Sequence, residues 1–564
     1  MDVFSILWQF ICLWLVIYVV IFAIRFYSSQ SLTWNQSTWP LTRSSSILPT
    51  HGQARENGLN LNDQEDTSKG QRPKDEWTVR LFQVRYTTQR LNGLFSSCAR
   101  LCPAFWHVWF SLGALVACLA MIVSVAIMLI AAVKMIIAFH RLLLAQDSSS
   151  HRLMKREEPV TASSDDPLFL PMIPGVTLPM SHIGYYLISL LVCGVIHEAG
   201  HAIASFAEQV QIQSCGLFFI YIYPGAFVNV PDQYLQLLSP FRQLKIVCAG
   251  VWHNLVLYLW TLVLLQGGLK LLLECAGWQS LEGNGGVSVV KVRSQSPMYP
   301  HLPPSSIIYQ LDDLDLENNL VDWNQFLLNK DGRNVLPQLG FCAAMEASTT
   351  SLDCCEIDDT YPFGKSANAS VSCFKNYHAE NGSRKPELLS CLSTIQVLGA
   401  RHPERCEHDH ECSQPTMKCV TPFTPSPSGQ VVRIYARMPD WWSQGDRDKV
   451  FIFEGELVDI WESIKVGILQ PKSWLLPAWL PHRTELLLRY ISSFTLALCL
   501  LNILPAFKLD GDFAVQLLLT MLFQPNPSTT RTMTRLHTLL IKMISYLAGF
   551  VIVSSILFGL LTTT

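Results

Sequence analysis

The sequence predicts a polytopic α-helical membrane protein with about six transmembrane spans. Of the 564 residues, 49% are hydrophobic and only 15% are charged, and the mean hydropathy is +0.25, which fits a soluble globular protein poorly. The net charge of −3 gives no basis for nucleic-acid binding. Apolar runs long enough to cross a bilayer recur along the chain, at about 3–24, 105–133, 182–207, 244–274, 485–504 and 538–562.

The N-terminal part is predicted to be an anchor, a polar loop, a membrane segment and a linker. Residues 1–27 are too long and too uniformly apolar for a typical cleaved signal peptide, so we interpret them as a retained anchor. The loop 28–104 carries many Lys and Arg residues, which favours the cytosol, but the acceptor Asn35-Gln36-Ser37 favours the lumen. A lumenal loop requires a tight pair of spans within 105–146 instead of one span. Residues 147–181 form the polar linker.

The most informative motif is His197-Glu198-Ala199-Gly200-His201, which lies inside the apolar run 182–207. On a helix His197 and His201 are four residues apart and share a face, so both imidazoles can bind one Zn²⁺. Glu198 then lies beside the metal without being a ligand, which suits a general base. Because ionisable groups are costly inside a membrane, this motif predicts a functional site.

A third zinc ligand is predicted near the C-terminus, where an apolar run leads into Asn502-Ile503-Leu504-Pro505 and then Leu509-Asp510-Gly511. Pro505 should end the preceding helix, and a broken helix is tolerated at membrane depth where it lines a cavity. The Asp510 carboxylate would complete a set of two His and one Asp, leaving the fourth position for water. An Asp-Gly pair after an apolar run is, by itself, more often a turn. If Asp510 is not the ligand, Asn502 and Asp512 are the alternatives.

These motifs resemble those of the site-2 proteases, a family of intramembrane zinc metalloproteases. The resemblance is to the animal branch of that family. The resemblance also runs through Tyr223-Pro224-Gly225-Ala226-Phe227-Val228, through the segment from Cys248 to Asn254, and through the segment that begins at Ser493. It covers most of 182–275 and 450–515. Lys508 departs from it, because it places a charge where a less polar residue is expected.

The resemblance implies a catalytic role for each motif. One zinc ion per chain would be bound by His197, His201 and Asp510, with Glu198 as the general base. Asn254 and Asn502 would support the oxyanion or hold the substrate backbone, although helix capping or bridging explains them equally well. His253 points elsewhere on its helix and is left out of the ligand set.

Two further elements of the fold are expected. Residues 213–230 are rich in Ile, Phe, Tyr and Val around Tyr-Pro-Gly, which suits either a β-hairpin that re-enters the membrane or an ordinary interfacial loop. In the family, such a hairpin could bind an extended substrate by strand addition. The glycine turn and strand at 285–292, with a helix opening at Asp322-Trp323, are similar to the PDZ-like domain of site-2 proteases, which could filter substrate ends or serve only as a cap.

Residues 276–484 form a hydrophilic insert between the two halves of the core, 182–275 and 485–564. Eight of the 17 cysteines lie in it, together with the glycosylation acceptors Asn368 and Asn381, which predicts disulfides in an oxidising lumen. These cysteines are Cys342, Cys354, Cys355, Cys373, Cys391, Cys406, Cys412 and Cys419. A zinc module built on Cys406, Cys412 and Cys419 with His408 and His410 is a weaker alternative, because the spacing is atypical.

Location and partners follow from this topology and from the resemblance. If the insert is lumenal, the helix 182–207 enters from the lumen and His197 lies roughly 22 Å in, nearer the cytosolic face. The resemblance favours a lumenal loop at 28–104, a Golgi or secretory-pathway membrane, and single-span substrates already cut once on the lumenal side. Such substrates are sterol regulatory element-binding proteins and ER-stress transcription factors. A zinc transporter or a catalytically inactive membrane chaperone are the competing classes.

Overall fold

The computed structural model describes residues 3–28, 75–147, 179–328, 339–344, 353–355, 371–376, 389–424, 429–442, 446–522 and 527–563. The predicted glycosylation sites Asn35, Asn368 and Asn381 lie outside these residues. The chain divides into two compact units. The first comprises Met1–Val263 and Leu487–Thr564, and the second is the continuous segment Leu264–Leu486.

The described helices, in chain order, are α1 Val3–Ser28, α2 Arg90–Leu101, α3 Pro103–Asp147, α4 Ile183–Ala207, α5 Asp232–Gln236, α6 Pro240–Val263, α7 Leu269–Cys275, α8 Leu320–Leu328, α9 Thr394–Leu398, α10 Leu457–Ser463, α11 Leu480–Asn502, α12 Asp510–Leu522 and α13 Pro527–Thr563. Within the described residues, five helical segments are long and apolar enough to cross a membrane: Pro103–His140, Met180–Ala207, Pro240–Cys275, Leu480–Asn502 and Thr534–Phe558. They correspond to five of the predicted spans. The apolar part found in α1, Trp14–Ala23, is shorter, so the sixth span stays a prediction.

The strands, in chain order, are β1 Glu76–Arg80, β2 Gln83–Thr88, β3 Ser214–Ile220, β4 Tyr223–Asn229, β5 Trp278–Ser280, β6 Val287–Val292, β7 Ile307–Leu311, β8 Leu314–Asp315, β9 Gly340–Ala344, β10 Val371–Asn376, β11 Leu389–Ser393, β12 Arg405–Cys406, β13 Met417–Pro422, β14 Gln430–Arg437, β15 Asp448–Gly455, β16 Ile464–Gly467 and β17 Leu469–Pro471. Of these described strands, β1 to β4 belong to the first unit and the others to the second.

The segment 105–146 forms part of a single helix, α3, and not the tight pair of spans that was one of the two alternatives. The physical reason is visible in the sequence: after Pro103, which is well tolerated at a helix start, α3 contains no proline and only Gly113 as a glycine. Nothing in it favours a turn. The lumenal placement of 28–104, which required the pair, therefore loses that support.

The predicted hairpin at 213–230 is present as β3 and β4, paired from Ser214↔Asn229 to Ile220↔Tyr223. It belongs to a larger antiparallel sheet with the order β1-β2-β3-β4. Strands β1 and β2 lie in the segment 28–104 that we expected to be a polar loop, so that expectation is wrong for 76–88 and for α2. The hairpin tips at Phe82 and Tyr221 both adopt positive φ values, 52° and 55°, and Trp14 of α1 packs against Phe82 and donates a hydrogen bond to the Tyr221 carbonyl.

Helices α4, α6 and α11 of the first unit pack around the His-Glu motif, and their contacts give their relative directions. Helix α6 runs antiparallel to α4, since Asn254 contacts His197 while Arg242 contacts Glu208 at the end of α4. Helix α11 runs parallel to α4, since Tyr490 contacts His182 and Asn502 contacts His197. The end of α6 and the start of α11 therefore lie on the side of the unit where α4 begins.

The second unit contains two larger sheets. One has the order β15-β14-β7-β6-β16, with β8 paired to β7, and its core includes Ile308, Ile434 and, from α8, Trp323. The other has the order β11-β10-β13-β9-β12 and holds the cysteine-rich part of the chain. A strand near 285–292 and a helix at Asp322 were both predicted, and β6 and α8 occupy these positions.

All eight cysteines of the insert form disulfides: Cys342–Cys412, Cys354–Cys391, Cys355–Cys373 and Cys406–Cys419. The predicted disulfide framework is thus formed, although its connectivity could not be derived from the sequence. The alternative zinc module on Cys406, Cys412 and Cys419 is wrong. These three sulfur atoms are committed to two different disulfides, and a thiolate ligand is no longer available from them.

We expect the second unit to become less stable between acidic and neutral pH because of Asp312. Burial raises the pKa of Asp312 to about 6 from its ordinary value of 3.8, although the backbone N–H of Arg433, 2.8 Å from Oδ1, lowers it in part. A pKa raised by folding adds stability that is fully present below the unfolded-state value and lost as the pH rises through about 6. The upper limit of this change in the free energy of unfolding is about 3 kcal/mol.

Hydrogen exchange of the β7 and β14 amides in the full-length protein, corrected for intrinsic rates, measures this effect. Asp312→Asn keeps an oxygen for the Arg433 amide and should flatten the dependence by protecting these strands more at neutral pH. The same change at the exposed Asp315 on β8 is the control and should leave the pH profile as in the unmodified protein. Equal profiles for all three proteins would contradict the assignment.

Candidate metal centre

The two histidines of the motif lie one helical turn apart on α4 and face the protein interior. His197 and His201 are buried, and their Nε2 atoms are 3.1 Å apart. The residues at four-residue spacing before and after them, Ser189, Cys193 and Ser205, are buried as well, so this stripe is the inward face of α4. The predicted sharing of a face by the two imidazoles is what the structure shows.

Helix α6 packs against this face at Gly250. A Cβ atom added to Gly250 would lie 2.4 Å from His201 Nε2 and 2.6 Å from His197 Cε1, distances that real Cβ atoms essentially never show. A second close approach occurs at Gly200, where a Cβ would lie 2.6 Å from the Ala249 carbonyl oxygen. These glycines let the two backbones come close enough for α6 to contact both imidazole rings.

Asp510 reaches the histidines through the break between α11 and α12. Helix α11 ends at Asn502, three residues before Pro505, as predicted. The chain then turns through Phe507 and Lys508, whose φ values of 51° and 62° are left-handed and unusual for residues with a Cβ. Gly511 allows the turn to fold back, because a Cβ there would lie 2.0 Å from the Ile503 carbonyl oxygen. Asp510 thereby becomes the first residue of α12, where the helix dipole favours a negative charge.

The three side chains meet at distances that suit a tetrahedral metal ion. Asp510 Oδ2 lies 3.2 Å from His197 Nε2 and 3.4 Å from His201 Nε2. In a tetrahedral site with zinc–ligand distances of about 2.0–2.1 Å, two ligand atoms are separated by roughly 3.3–3.4 Å. All three residues are buried, and Asp510 Oδ2 has no hydrogen-bond partner. The donor set and its spacing therefore fit one zinc ion.

The remaining nitrogen of each imidazole shows how the rings are held. His201 Nδ1 lies 2.8 Å from the Ile246 carbonyl oxygen, which can only accept, so Nδ1 carries the proton and the Nε2 lone pair is free for a metal. His197 Nδ1 lies 3.3 Å from the side-chain amide of Asn254. With the oxygen of that amide turned toward Nδ1, His197 donates in the same way, and the otherwise unpartnered Asn254 Oδ1 gains a donor.

Glu198 is placed as a base would be. It is buried, one residue along α4 from His197, and its carboxylate accepts a hydrogen bond from the backbone N–H of Val228 in β4. Its other oxygen, Oε2, is buried without a hydrogen-bond partner. Strand β4 thus orients the carboxylate while leaving one oxygen for a water molecule.

The other residues considered from the sequence lie around the cluster. Asn502 Nδ2 is 3.5 Å from His197 Nε2, close to the atom that would bind the metal. His253 bonds instead to the Ala249 carbonyl of its own helix and packs against Phe110, outside the cluster as expected. Asp512 lies 2.9 Å from His537 of α13, so its carboxylate is engaged away from the three ligands.

One ion cluster beside the site was not predicted. Glu208, directly after α4, binds both Arg242 and the buried Lys245 of α6, and Arg242 Nη2 also donates to the Glu208 carbonyl oxygen at 2.7 Å. The sequence suggested only a positive-inside bias at Arg242 and Lys245. Arg242 and Lys245 lie 34 and 37 residues after Glu208 along the chain, so no local sequence pattern indicates this pairing. The cluster ties the end of α4 to the start of α6.

Comparison with known proteins agrees with this geometry. Residues 185–436 match the sequence model of peptidase family M50. The chain is also 26% identical over 382 residues to a membrane-bound transcription factor site-2 protease homolog from Arabidopsis thaliana, an alignment that covers 60% of this chain and 70% of the relative. Over these residues the chain is similar to peptidase family M50, the site-2 protease family. That family consists of membrane-embedded, zinc-using metalloproteases.

The M50 match includes the two histidines and Glu198 but stops well before Asp510. The assignment of Asp510 therefore depends on the structure, which brings it to the histidines across more than 300 residues of chain.

We predict that Asp510→Asn reduces zinc affinity by at least about 100-fold, because a neutral amide is a poor substitute for an anionic zinc ligand. Zinc retained by the purified protein after treatment with a chelator, measured by elemental analysis, tests this. Asp512→Asn is the matched control, and because Asp512 faces His537 it should retain much more zinc. If Asp510→Asn holds zinc as the unmodified protein does, Asp510 is no ligand.

Proposed function

We propose that this protein is an intramembrane zinc endopeptidase that cuts a peptide bond within or near the transmembrane helix of a single-span membrane protein. Its substrates would already have lost their lumenal part, and cleavage would release a cytosolic transcription-factor domain. The observation that carries this proposal is the placement of His197, Glu198 and His201 in a helix apolar enough to span a bilayer, with Asp510 beside both imidazoles.

The residues supply a complete hydrolytic arrangement. His197, His201 and Asp510 would hold one zinc ion per chain, which supplies a Lewis acid for water and for the scissile carbonyl. Glu198 accepts the proton of the attacking water and delivers it to the leaving amine. Asn502, beside His197 Nε2, is positioned to hold a substrate carbonyl, whereas Asn254 orients His197 through Nδ1. We therefore assign Asn254 to positioning the His197 imidazole, and not to the oxyanion role considered from the sequence.

A substrate helix must be unwound before its backbone is accessible, because its peptide groups are hydrogen-bonded to one another. Strand β4 offers a place for the unwound segment. It is the last strand in the order β1-β2-β3-β4, and it packs beside α4, with the nitrogen of Ala226 within 3.8 Å of where a Cβ on Gly194 would be. Val228 of the same strand binds Glu198. If β4 serves as the edge of a re-entrant hairpin, an extended substrate paired with it would pass close to Glu198.

The proposed topology follows from the helix directions. The end of α6 and the start of α11 lie on the side where α4 begins, so the insert 276–484 would be on that side, which we assign to the lumen. Four disulfides in the insert support an oxidising compartment. The sheet β15-β14-β7-β6-β16 with α8 agrees with a PDZ-like domain, which would filter or cap substrate ends.

The identity of the substrates comes from the family resemblance. Sterol regulatory element-binding proteins and ER-stress transcription factors would be single-span substrates with cytosolic transcription-factor domains. The relative from Arabidopsis thaliana is named a membrane-bound transcription factor site-2 protease homolog, which supports a membrane-bound transcription factor as the substrate class. We therefore propose a Golgi or secretory-pathway membrane as the site of action.

We predict that Glu198→Gln loses proteolysis by more than about 100-fold and keeps its zinc, because the residue transfers a proton and is not a ligand. Cleavage of a truncated single-span substrate in proteoliposomes and elemental analysis of the same preparation measure both properties. Glu274→Gln, the same change in α7, is the control and should cleave normally. Undiminished cleavage by Glu198→Gln would contradict the mechanism. It would instead favour a motif that binds zinc but does not catalyse the cleavage.

We predict that the insert is lumenal and glycosylated. Glycosidase treatment of the protein from cells should increase its mobility, and Asn368→Gln combined with Asn381→Gln should reduce the shift. A membrane-impermeant thiol reagent added after reduction should label the insert cysteines only when the lumenal side is opened. Labelling of Cys342 or Cys419 from the cytosolic side of intact membranes would show that the topology is inverted.

A further inference from the structure

The last helix carries two basic side chains on a face that no described part of the protein covers. Arg535 and Lys542 both lie within the candidate span Thr534–Phe558 of α13, and both are exposed. Seven residues separate them, which is two helical turns, so they share one face. The opposite face packs through Ala548 and Val551 against α3.

Neither charge has a counter-ion in the part of the chain that the structure describes, where no ion pair or hydrogen bond involves either side-chain nitrogen. The sequence gives no nearby acid, since the segment from Phe513 to Thr564 contains three Lys and Arg but no Asp or Glu. Ionisable groups within a span are costly unless a partner compensates them. A negatively charged partner from outside the chain would provide that compensation.

The shape and chemistry of this face suit a phospholipid. An open, shallow depression of about 520 Å³ on this face is lined by Arg535, Lys542, Tyr546 and the apolar side chains of Leu539 and Met543. Leu539, Met543 and Tyr546 are 56%, 62% and 76% exposed, so this face offers apolar surface between and beyond the two charges. Side chains on a helix slant toward its N-terminus, which directs Lys542 toward Arg535 and toward the end of the span.

We propose that Arg535 and Lys542 form a binding site for the headgroup of an anionic phospholipid, with its acyl chains along Leu539 and Met543. The two cations bind the phosphate and the further negative charge of the headgroup, and Tyr546 provides an amphipathic ring at the next turn. Thr538 is not counted as a donor, because its hydroxyl already bonds to the Thr534 carbonyl at 2.7 Å.

The site is distinct from the candidate metal centre, but its helix contacts the segment that carries Asp510. His537 leaves α13 on another face and binds Asp512, two residues after the ligand Asp510. The backbone N–H of Phe507, in the turn that precedes Asp510, lies 3.3 Å from Ser545 Oγ of α13. The proposal does not depend on the chemistry at that centre, and the experiment below can be run on protein without zinc.

The test uses the full-length protein in vesicles of phosphatidylcholine with phosphatidylserine. Spin-labelled phosphatidylserine and phosphatidylcholine report how many lipids are held at the protein surface, and their ratio gives the preference for the anionic lipid. Arg535→Gln combined with Lys542→Gln should reduce that preference, by about fivefold for each cation lost. Raising the ionic strength should weaken the preference of the unmodified protein in the same direction.

Two controls separate a site from general charge and from misfolding. Lys449→Gln combined with Lys465→Gln removes two exposed cations of the second unit and should leave the preference unchanged. Arg535→Lys combined with Lys542→Arg retains both charges and should preserve it. The proposal is overturned if the unmodified protein prefers neither lipid, if the double Gln variant keeps the full preference, or if the Lys449 and Lys465 control loses it equally.

Discussion

The close contact between α4 and α6 is the constraint on which the rest of the metal centre depends. Gly250 and Gly200 remove the side chains that would hold these two backbones apart. Only at this separation can the Ile246 carbonyl and the Asn254 amide reach the far nitrogens of the two imidazoles. The ion cluster around Glu208 fastens the same helix pair about two turns beyond His201. The candidate metal site is thus a product of helix packing, and Asp510 at the start of α12 is brought to it by the turn that follows α11.

The placement of Asp510 beside the two histidines explains how a large insert can interrupt the core of the first unit. Asp510 arrives on a short strained turn after α11, and α11 runs parallel to α4, so the chain that leaves α6 and the chain that enters α11 do so on one side of the first unit. The two halves of the core can therefore assemble through α4, α6, α11 and α12 whatever is inserted between them. The strain at Phe507 and Lys508 is offset by this burial, which places a carboxylate where two imidazoles converge.

Local patterns in the sequence predicted the elements of the site, but not their contacts. The helix through His197, the break at Pro505 and the hairpin after α4 each have a nearby signal, such as four-residue spacing or proline. Strands β1 and β2 were missed because they are short and lie in a segment rich in charge, and because β2 pairs with β3 more than 120 residues away. The Asn254–His197 contact and the Glu208 cluster were missed for the same reason: charge and spacing along the chain do not say which side chains meet across two helices.

The described charged groups of the first unit show why we look for the partner of α13 in the membrane. Asp510 faces two histidines, Glu208 faces Arg242 and Lys245, and Asp512 faces His537, so each of these carboxylates already has a cationic or metal-binding neighbour. None of them is left for Arg535 and Lys542. In water these two cations would need no partner, but on the outer face of a span the surrounding medium is lipid, and the anions available there belong to headgroups. The same helix would then meet the membrane with one face while His537 and Ser545 on another support the turn that carries the third ligand.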